Sequence, residues 1–192
     1  AKTLRQADVA LRVTNAFDPG DPGTLIDDQP TDTPSVEIVT GLKVVALELF
    51  EQDMVGVKGY DAAILEALKR HNVWIVSKTS NANTITHYVQ ASLKVVRRVA
   101  RDLEEIYPSA KVSARTLSLV SPIGRDLSGL RVLSRGLAAL EDAGIEVIAA
   151  HQTPRSVDVQ FVLGAKEMEA GIAALHRALI ESEVTHLPRK AA

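Results

Sequence analysis

Residues 58–79, KGYDAAILEALKRHNVWIVSKT, carry the pattern that decides the fold, and residues 130–151, LRVLSRGLAALEDAGIEVIAAH, carry it again 72 residues later. In each stretch apolar residues first recur at helical spacing and then form a short β-branched run. Asn72 ends the first predicted helix, and Gly144, a favoured residue just after a helix, ends the second. The sequence therefore predicts a helix followed by a strand twice, in the same register.

The repeat extends in both directions without a gap. An alternating apolar segment at 45–49 predicts a strand before the first helix. A strand at 84–90 and a helix at 92–106 are predicted after it, and each of these elements has a counterpart 72 residues later. Each copy thus has the order β-α-β-β-α, which gives an antiparallel sheet with two helices packed on one face.

Each copy needs a fourth strand to complete a ferredoxin-like sheet. Residues 111–114 can supply it for the first copy, whereas the chain after Ser182 is polar and has no strand pattern. Residues 36–39 are the only unassigned candidate for the second copy. We therefore predict an α+β fold of two ferredoxin-like βαββαβ units, the first inserted in the second.

The first 33 residues differ from the repeats in composition and in hydrophobic pattern. Alternation at Val9, Leu11 and Val13 predicts one short strand, and residues 15–26 are predicted to be a loop. Residues 27–35, DDQPTDTPS, are polar and acidic and are typical of a linker. A lone strand and a loop cannot form a core, so this segment is expected to be the end of another domain. The predicted boundaries are 1–33 for the remnant and linker, 41–114 for the first unit, 34–40 and 115–183 for the second unit, and 184–192 for a tail.

The composition excludes several classes of function. The formal net charge is −2 and the basic residues are dispersed, so we expect no nucleic-acid partner. No apolar run approaches the roughly 20 residues of a membrane span, and no secretory signal is recognisable, so we expect a cytoplasmic protein with no membrane partner. With 0 cysteines and 5 scattered histidines the chain is expected to hold neither a disulfide nor a metal. No constellation of catalytic residues is recognisable.

The chain resembles the C-terminal half of aspartokinases over almost its whole length, up to about residue 183. Residues 13–26 are similar to the last strand of that family's kinase domain and to the Pro-Gly-Thr-Leu-Ile loop that leads out of it. The segments that resemble the family's two regulatory ACT domains are 36–41, 52–54, 59–73 and 118–127. The resemblance implies tandem, interleaved ACT domains.

The resemblance also implies what this chain does not contain. Aspartokinases carry their ATP-, magnesium- and aspartate-binding residues in an N-terminal domain that opens with a Lys-Phe-Gly-Gly-Thr segment, and no such segment occurs here. No catalytic residue and no cofactor are therefore expected in this chain. The chain resembles the allosteric region of an aspartate kinase. The resemblance implies that this region mediates feedback inhibition of the pathway that makes lysine, threonine and methionine. The alternative is a free-standing ACT-type sensor or dimerisation module without a kinase.

An effector site is implied at the start of the first predicted helix. Free backbone N–H groups at a helix N-terminus favour a carboxylate, and Gly56 and Gly59 permit close approach of a ligand. Tyr60 is expected to be a core residue rather than a ligand contact. The residues that the family resemblance assigns to the effector site are Met54, Val57, Gly59, Tyr60, Asp61, Val76, Ser80, Asn81, Ala82 and Asn83.

The chain departs from lysine-inhibited relatives at two of these positions. Val76 and Ala82 stand where such relatives have an Asp and a Glu that neutralise the effector's ammonium. A buried ammonium needs such a partner, so another acid must substitute, and the candidates are Asp61, Glu48 and Glu51. Lysine is the favoured effector and threonine its rival. Loss of binding is the third possibility.

Two further expectations concern packing. His87 lies in the apolar register of a predicted strand, which is typical of a core histidine whose ring nitrogens are satisfied. The open sheet edges of ferredoxin-like units can pair with a second chain. We therefore predict a homodimer through the ACT domains.

Overall fold

The computed structural model describes residues 2–26 and 33–181. The chain divides into two compact units, Ala1–Thr33 and Pro34–Ala192. Most of the predicted linker at 27–35 and all of the predicted tail at 184–192 lie outside the described residues.

The first unit contains a short helix and a hairpin. Helix α1 spans Lys2–Gln6, and strand β1 (Leu11–Val13) pairs antiparallel with strand β2 (Thr24–Ile26). The prediction of a loop over residues 15–26 is therefore wrong for residues 24–26, which form β2. Helix α1 was not predicted. The hairpin closes at Gly23, which has a positive φ of 67° and approaches the Val13 carbonyl so closely that a Cβ would clash with its oxygen.

The second unit follows the predicted element order twice. Helices α2 (Tyr60–Arg70) and α4 (Val132–Asp142) begin and end 72 residues apart, as the repeat requires. The other elements are β3 (Ser35–Phe50), β4 (Trp74–Ser80), β5 (Thr84–Gln90), α3 (Leu93–Ile106), β6 (Lys111–Arg125), β7 (Val147–Gln152), β8 (Val159–Gly164) and α5 (Met168–His176), with 3₁₀ turns at Gln52–Met54 and Leu127–Gly129 and a π-helical turn at Arg177–Glu181.

One six-stranded antiparallel sheet joins both repeats in the order β4-β5-β3-β6-β8-β7. The predicted strands at 36–39 and 45–49 form a single strand, β3, which pairs with β6 along its whole length. The first part of β3 lies beside the end of β6, from Ser35 opposite Arg125 to Thr40 opposite Ser121. The second repeat thus takes its fourth strand from ahead of the first repeat. The α+β prediction of two interleaved ferredoxin-like units is confirmed.

All four long helices lie on one face of the sheet, over two separate cores. In the first core, alternate residues of β3 such as Leu47 and Leu49 pack against α2 and α3. In the second core, Val39 and Phe161 pack against α4 and α5. Burial of apolar side chains of this size contributes about 1.5–3 kcal/mol each, which makes these two cores the main source of stability.

The other face of the sheet is covered by the sheet itself. Val44, Ala46 and Tyr88 of the first repeat form a third buried cluster with side chains of the second, which are Leu117, Leu119 and Val162. Ser77 Oγ on β4 donates a hydrogen bond to Gln160 Oε1 on β8 at 2.6 Å, although three strands separate β4 from β8 in the sheet. The sheet therefore curls so that β4 contacts β8 across its concave face.

Strands β4 and β7 are the outer strands of the curled sheet. On β4, Trp74 is 72% exposed and the neighbouring Ile75 is 44% exposed. None of the helices within residues 2–26 and 33–181 has the length and hydropathy that a bilayer-spanning helix needs.

Candidate functional site

The loop that follows β3 leads directly into the N-terminus of α2. A 3₁₀ turn at Gln52–Met54 is followed by two glycines with positive φ, Gly56 at 80° and Gly59 at 107°. Gly59 is the N-cap of α2 and supplies no side-chain hydrogen bond. A Cβ at Gly59 would have no atom within 4 Å, so the backbone here faces open space. Within the described part of the chain no side chain caps the N–H groups of the first turn, so they are available to an external acceptor, and the helix dipole favours an anion there.

The β4–β5 turn lies against the start of this loop. Asn81 Oδ1 accepts hydrogen bonds from the backbone N–H groups of Asn83 (3.1 Å) and Thr84 (2.9 Å), which fixes the turn. The Asn83 carbonyl accepts a hydrogen bond from the Glu51 N–H at 2.9 Å. The predicted turn residues and the predicted loop residues are therefore neighbours in space.

Asp61, in the first turn of α2, forms an ion pair with Lys78 on β4. Lys78 Nζ lies 2.6 Å from Asp61 Oδ2, and the two side chains are 35% and 40% exposed. Asp61 Oδ1 points inwards and has no hydrogen-bond partner among the residues that the structure describes. The negative charge of Asp61 is thus already paired with an ammonium from within the chain.

His87 lies beneath this ion pair and is fully buried. Its Nε2 is 3.5 Å from Asp61 Oδ1, within reach of an ion pair but without hydrogen-bond geometry, and neither ring nitrogen has a partner in the described part of the chain. The expectation of a core position is confirmed, and the expectation of satisfied nitrogens is wrong. Burial lowers the pKa of His87; Asp61 opposes this shift and Lys78 adds to it.

The other two candidate acids are engaged elsewhere. Glu51 is buried and accepts hydrogen bonds from Ser109 Oγ at 2.5 Å and from the Asp53 N–H at 3.4 Å. Glu48 accepts a hydrogen bond from Thr86 Oγ1 at 3.3 Å. All three acids that were candidates to neutralise an effector's ammonium therefore already have partners.

The remaining predicted site residues fall in different surroundings. Met54 is buried in the first core, and Tyr60 packs against that core with its ring stacked on Tyr107 at 4.4 Å. Val57 is exposed beside the open backbone of the loop. Val76 packs on the opposite face of the sheet, against the third cluster, while Asp61 lies on the helix face. Ser80 and Ala82 are exposed at the turn.

Two residues of this constellation were missed as site residues, Lys78 and His87. A signal for them existed in the sequence, because a turn at Asn81–Asn83 sets the pairing of the flanking strands. Lys78 and His87 are cross-strand partners in that hairpin and point to the same face.

The fold defines the class of protein as one built from two interleaved ferredoxin-like units of the ACT type. The chain is 48% identical to the aspartate kinase Ask_Ect of Stutzerimonas stutzeri over 185 residues, which is 95% of this chain and 39% of that protein. It is 24% identical to the chloroplastic aspartokinase 1 of Arabidopsis thaliana over 94% of this chain and 33% of that protein. No family model matches the chain. The chain thus spans between a third and two fifths of these curated relatives.

Solved structures show the same fold. Aspartokinase III of E. coli in complex with lysine and aspartate superimposes with a TM-score of 0.72 at 20% identity, covering 92% of this chain and 40% of that one. The regulatory subunit of aspartate kinase from Thermus flavus gives a TM-score of 0.62 at 17% identity, covering 75% of this chain and 98% of that subunit. The resemblance to aspartokinases is confirmed, and it falls on their regulatory part.

Proposed function

We propose that the chain is the amino-acid-sensing region of an aspartate kinase, an ATP:L-aspartate 4-phosphotransferase of the cytoplasm whose kinase domain holds ATP and magnesium. The observation that carries this proposal is the uncapped N-terminus of α2, which follows the open backbone at Gly59. An effector's α-carboxylate accepts hydrogen bonds from the free N–H groups of that first turn. The Asn81–Asn83 turn provides polar groups for the α-amino end.

The contacts of the three acids favour threonine over lysine as the effector. An ammonium on the effector's side chain needs an unengaged carboxylate, and Asp61 already pairs with Lys78. A neutral hydroxyl side chain makes no such demand. The Asp61–Lys78 ion pair therefore favours threonine, the rival of lysine, as the effector.

The proposed control is allosteric and acts through a homodimer. Strand β4 offers an outer edge with exposed Trp74 and Ile75, and pairing of two such edges would cover both side chains. An effector near this edge inhibits the kinase only if it binds one arrangement of the ACT domains more tightly than the other.

Calorimetric titration of the chain with threonine, lysine, both together and glycine tests the proposal. Saturable heat with threonine, lost in Gly59→Val, is the expected result, because a β-branched residue is strained at a φ of 107° and would crowd the carboxylate. Gly144→Val is the matched control, because Gly144 also has a positive φ, of 69°, and open space around its Cβ but lies in the second repeat. Absence of heat with every amino acid would overturn effector binding and leave the fold assignment intact.

A further inference from the structure

A groove between α3 and the start of β6 shares no lining residue with the candidate effector site. It encloses about 540 Å³. Its floor is apolar, formed by Leu93, Ala100, Val112 and Ala114, and its rim carries Lys94, Arg97, Arg101 and Glu104. Pockets of this size that combine an apolar floor with a few charged groups are typical of small-molecule sites.

Three of the four charged side chains of the rim are basic. Lys94, Arg97 and Arg101 lie at helical spacing on one face of α3, and within residues 2–26 and 33–181 none of them has an acidic group within 4.0 Å. The neighbouring acid on α3, Asp102, is engaged by Arg70 at 3.2 Å and by His71 at 2.9 Å. In a chain with a net charge of −2, this face is a local concentration of unpaired positive charge.

The second repeat shows that the fold does not require this groove. Ala100 corresponds to Ile172, which lies against β3 so closely that a Cβ on Gly41 would be 2.8 Å from its Cδ1. A large side chain therefore covers the strand in the second repeat, and a small one leaves the groove open in the first.

Two of the three basic residues are also particular to the first repeat, whereas Lys94 corresponds to Lys166. Arg97 corresponds to Glu169, and Arg101 corresponds to Ala173. The same fold is thus built without these two cations. Neither the open groove nor its charge follows from the needs of folding.

We propose that this groove binds a small organic anion that carries a phosphate or carboxylate group next to an apolar part. The guanidinium groups of Arg97 and Arg101 bind the anion by paired hydrogen bonds, and Lys94 adds a third positive charge. The apolar part lies on Ala100 and Val112. Glu104, at the end of the rim, selects against ligands with negative charge along their whole length.

The test is titration of the 192-residue chain with inorganic phosphate, phenyl phosphate and citrate, followed by calorimetry and by amide chemical shifts. We expect saturable binding of phenyl phosphate, about tenfold tighter than inorganic phosphate because the ring is removed from water. Shifts confined to α3 and the start of β6 place the ligand in the groove. Binding of citrate in place of phenyl phosphate would contradict the proposal, because citrate carries negative charge along its whole length and has no apolar part.

Variants separate the groove from general surface charge. Arg97→Gln and Arg101→Gln should each weaken binding about tenfold, whereas Arg98→Gln, which removes a charge from α3 outside the groove, should not. Ala100→Ile keeps every charge and should abolish binding, and thermal melting checks that it folds. No saturable binding by any probe, or an equal loss in Arg98→Gln, would overturn the proposal.

Discussion

The ammonium of Lys78 lies 2.6 Å from Asp61 Oδ2, so that strand β4 is joined to the first turn of α2 at the candidate effector site. The chain itself therefore supplies the positive charge that a lysine effector would bring. Removing that charge should make Asp61 available to a ligand.

The first prediction is that Lys78→Met increases the affinity for lysine relative to threonine. The pair is partly exposed and screened by water, so the expected change in the affinity ratio is about threefold to tenfold. Calorimetric titration of both amino acids measures it. Lys69→Met, in the last turn of α2, is the control for loss of a charge. An unchanged ratio would show that Asp61 does not select the effector.

The second prediction concerns the dependence of stability on pH. Burial holds the pKa of His87 below its ordinary value, so the unfolded chain takes up a proton at a higher pH than the folded chain. The neutral ring therefore contributes its full stability above about pH 6.5, and that contribution is lost as the pH falls below this value. Urea unfolding at about pH 7.5 and about pH 5.5, on either side of this value, measures the prediction. The free energy of unfolding should fall less on acidification in His87→Leu than in the natural chain.

The control for this effect is His151→Gln, which removes an exposed histidine from β7. This variant should lose as much free energy of unfolding between the two pH values as the natural chain does. If His87→Leu lost as much stability on acidification as the natural chain, the buried ring would not be the group that titrates.

The fold was predictable because the helices hold the 72-residue register. The strands before them do not, since Val45 lies in the first core and Leu117, 72 residues later, lies in the third cluster on the other face of the sheet. Periodicity alone located α2 and α4, and the need for a fourth strand located the start of β3. The curl of the sheet was not predictable, since Val44 and Ala46 show only that a face is apolar and not what covers it. Strand β2 was missed because it directly follows Pro22 and Gly23, which are typical of a loop.

The candidate site was predictable only in part. The loop and the Asn81–Asn83 turn follow from glycine and asparagine positions, and they are indeed neighbours. The partner of Asp61 was not predicted, because Lys78 reaches it only when helix and hairpin pack together. The assignment of ten residues to effector binding stays a prediction.

The third prediction uses the single tryptophan of the chain. Trp74 is 72% exposed on the outer strand β4, and pairing of two β4 edges should bury it. Its emission should shift to shorter wavelength as the protein concentration rises, in step with a doubled mass by ultracentrifugation. Ile75→Lys should abolish both changes, because a charge at the edge opposes pairing. Dimers that form without a shift in emission would place the interface elsewhere.

The last prediction concerns two pairs of corresponding core positions whose side chains differ in size between the repeats. Ile64 and Val89 of the first core correspond to Gly136 and Phe161 of the second, so a large and a small side chain have changed places. A Cβ at Gly136 would clash with Phe161 Cζ. Gly136→Ala should therefore destabilise the chain, because overpacking costs about 1–3 kcal/mol and exceeds the gain of up to about 1 kcal/mol in helix propensity.

The comparison with Phe161→Val turns this exchange into a quantitative test. Phe161→Val alone leaves a cavity and should cost about 2–4 kcal/mol, whereas in the double variant the methyl group added at position 136 fills part of it. The double variant should therefore lose less free energy of unfolding than the sum of the two single losses. Gly129→Ala, which meets no atom within 4 Å, is the control for an added methyl group. If the losses of free energy in the two single variants simply added up in the double variant, the absence of a side chain at Gly136 would not be explained by Phe161.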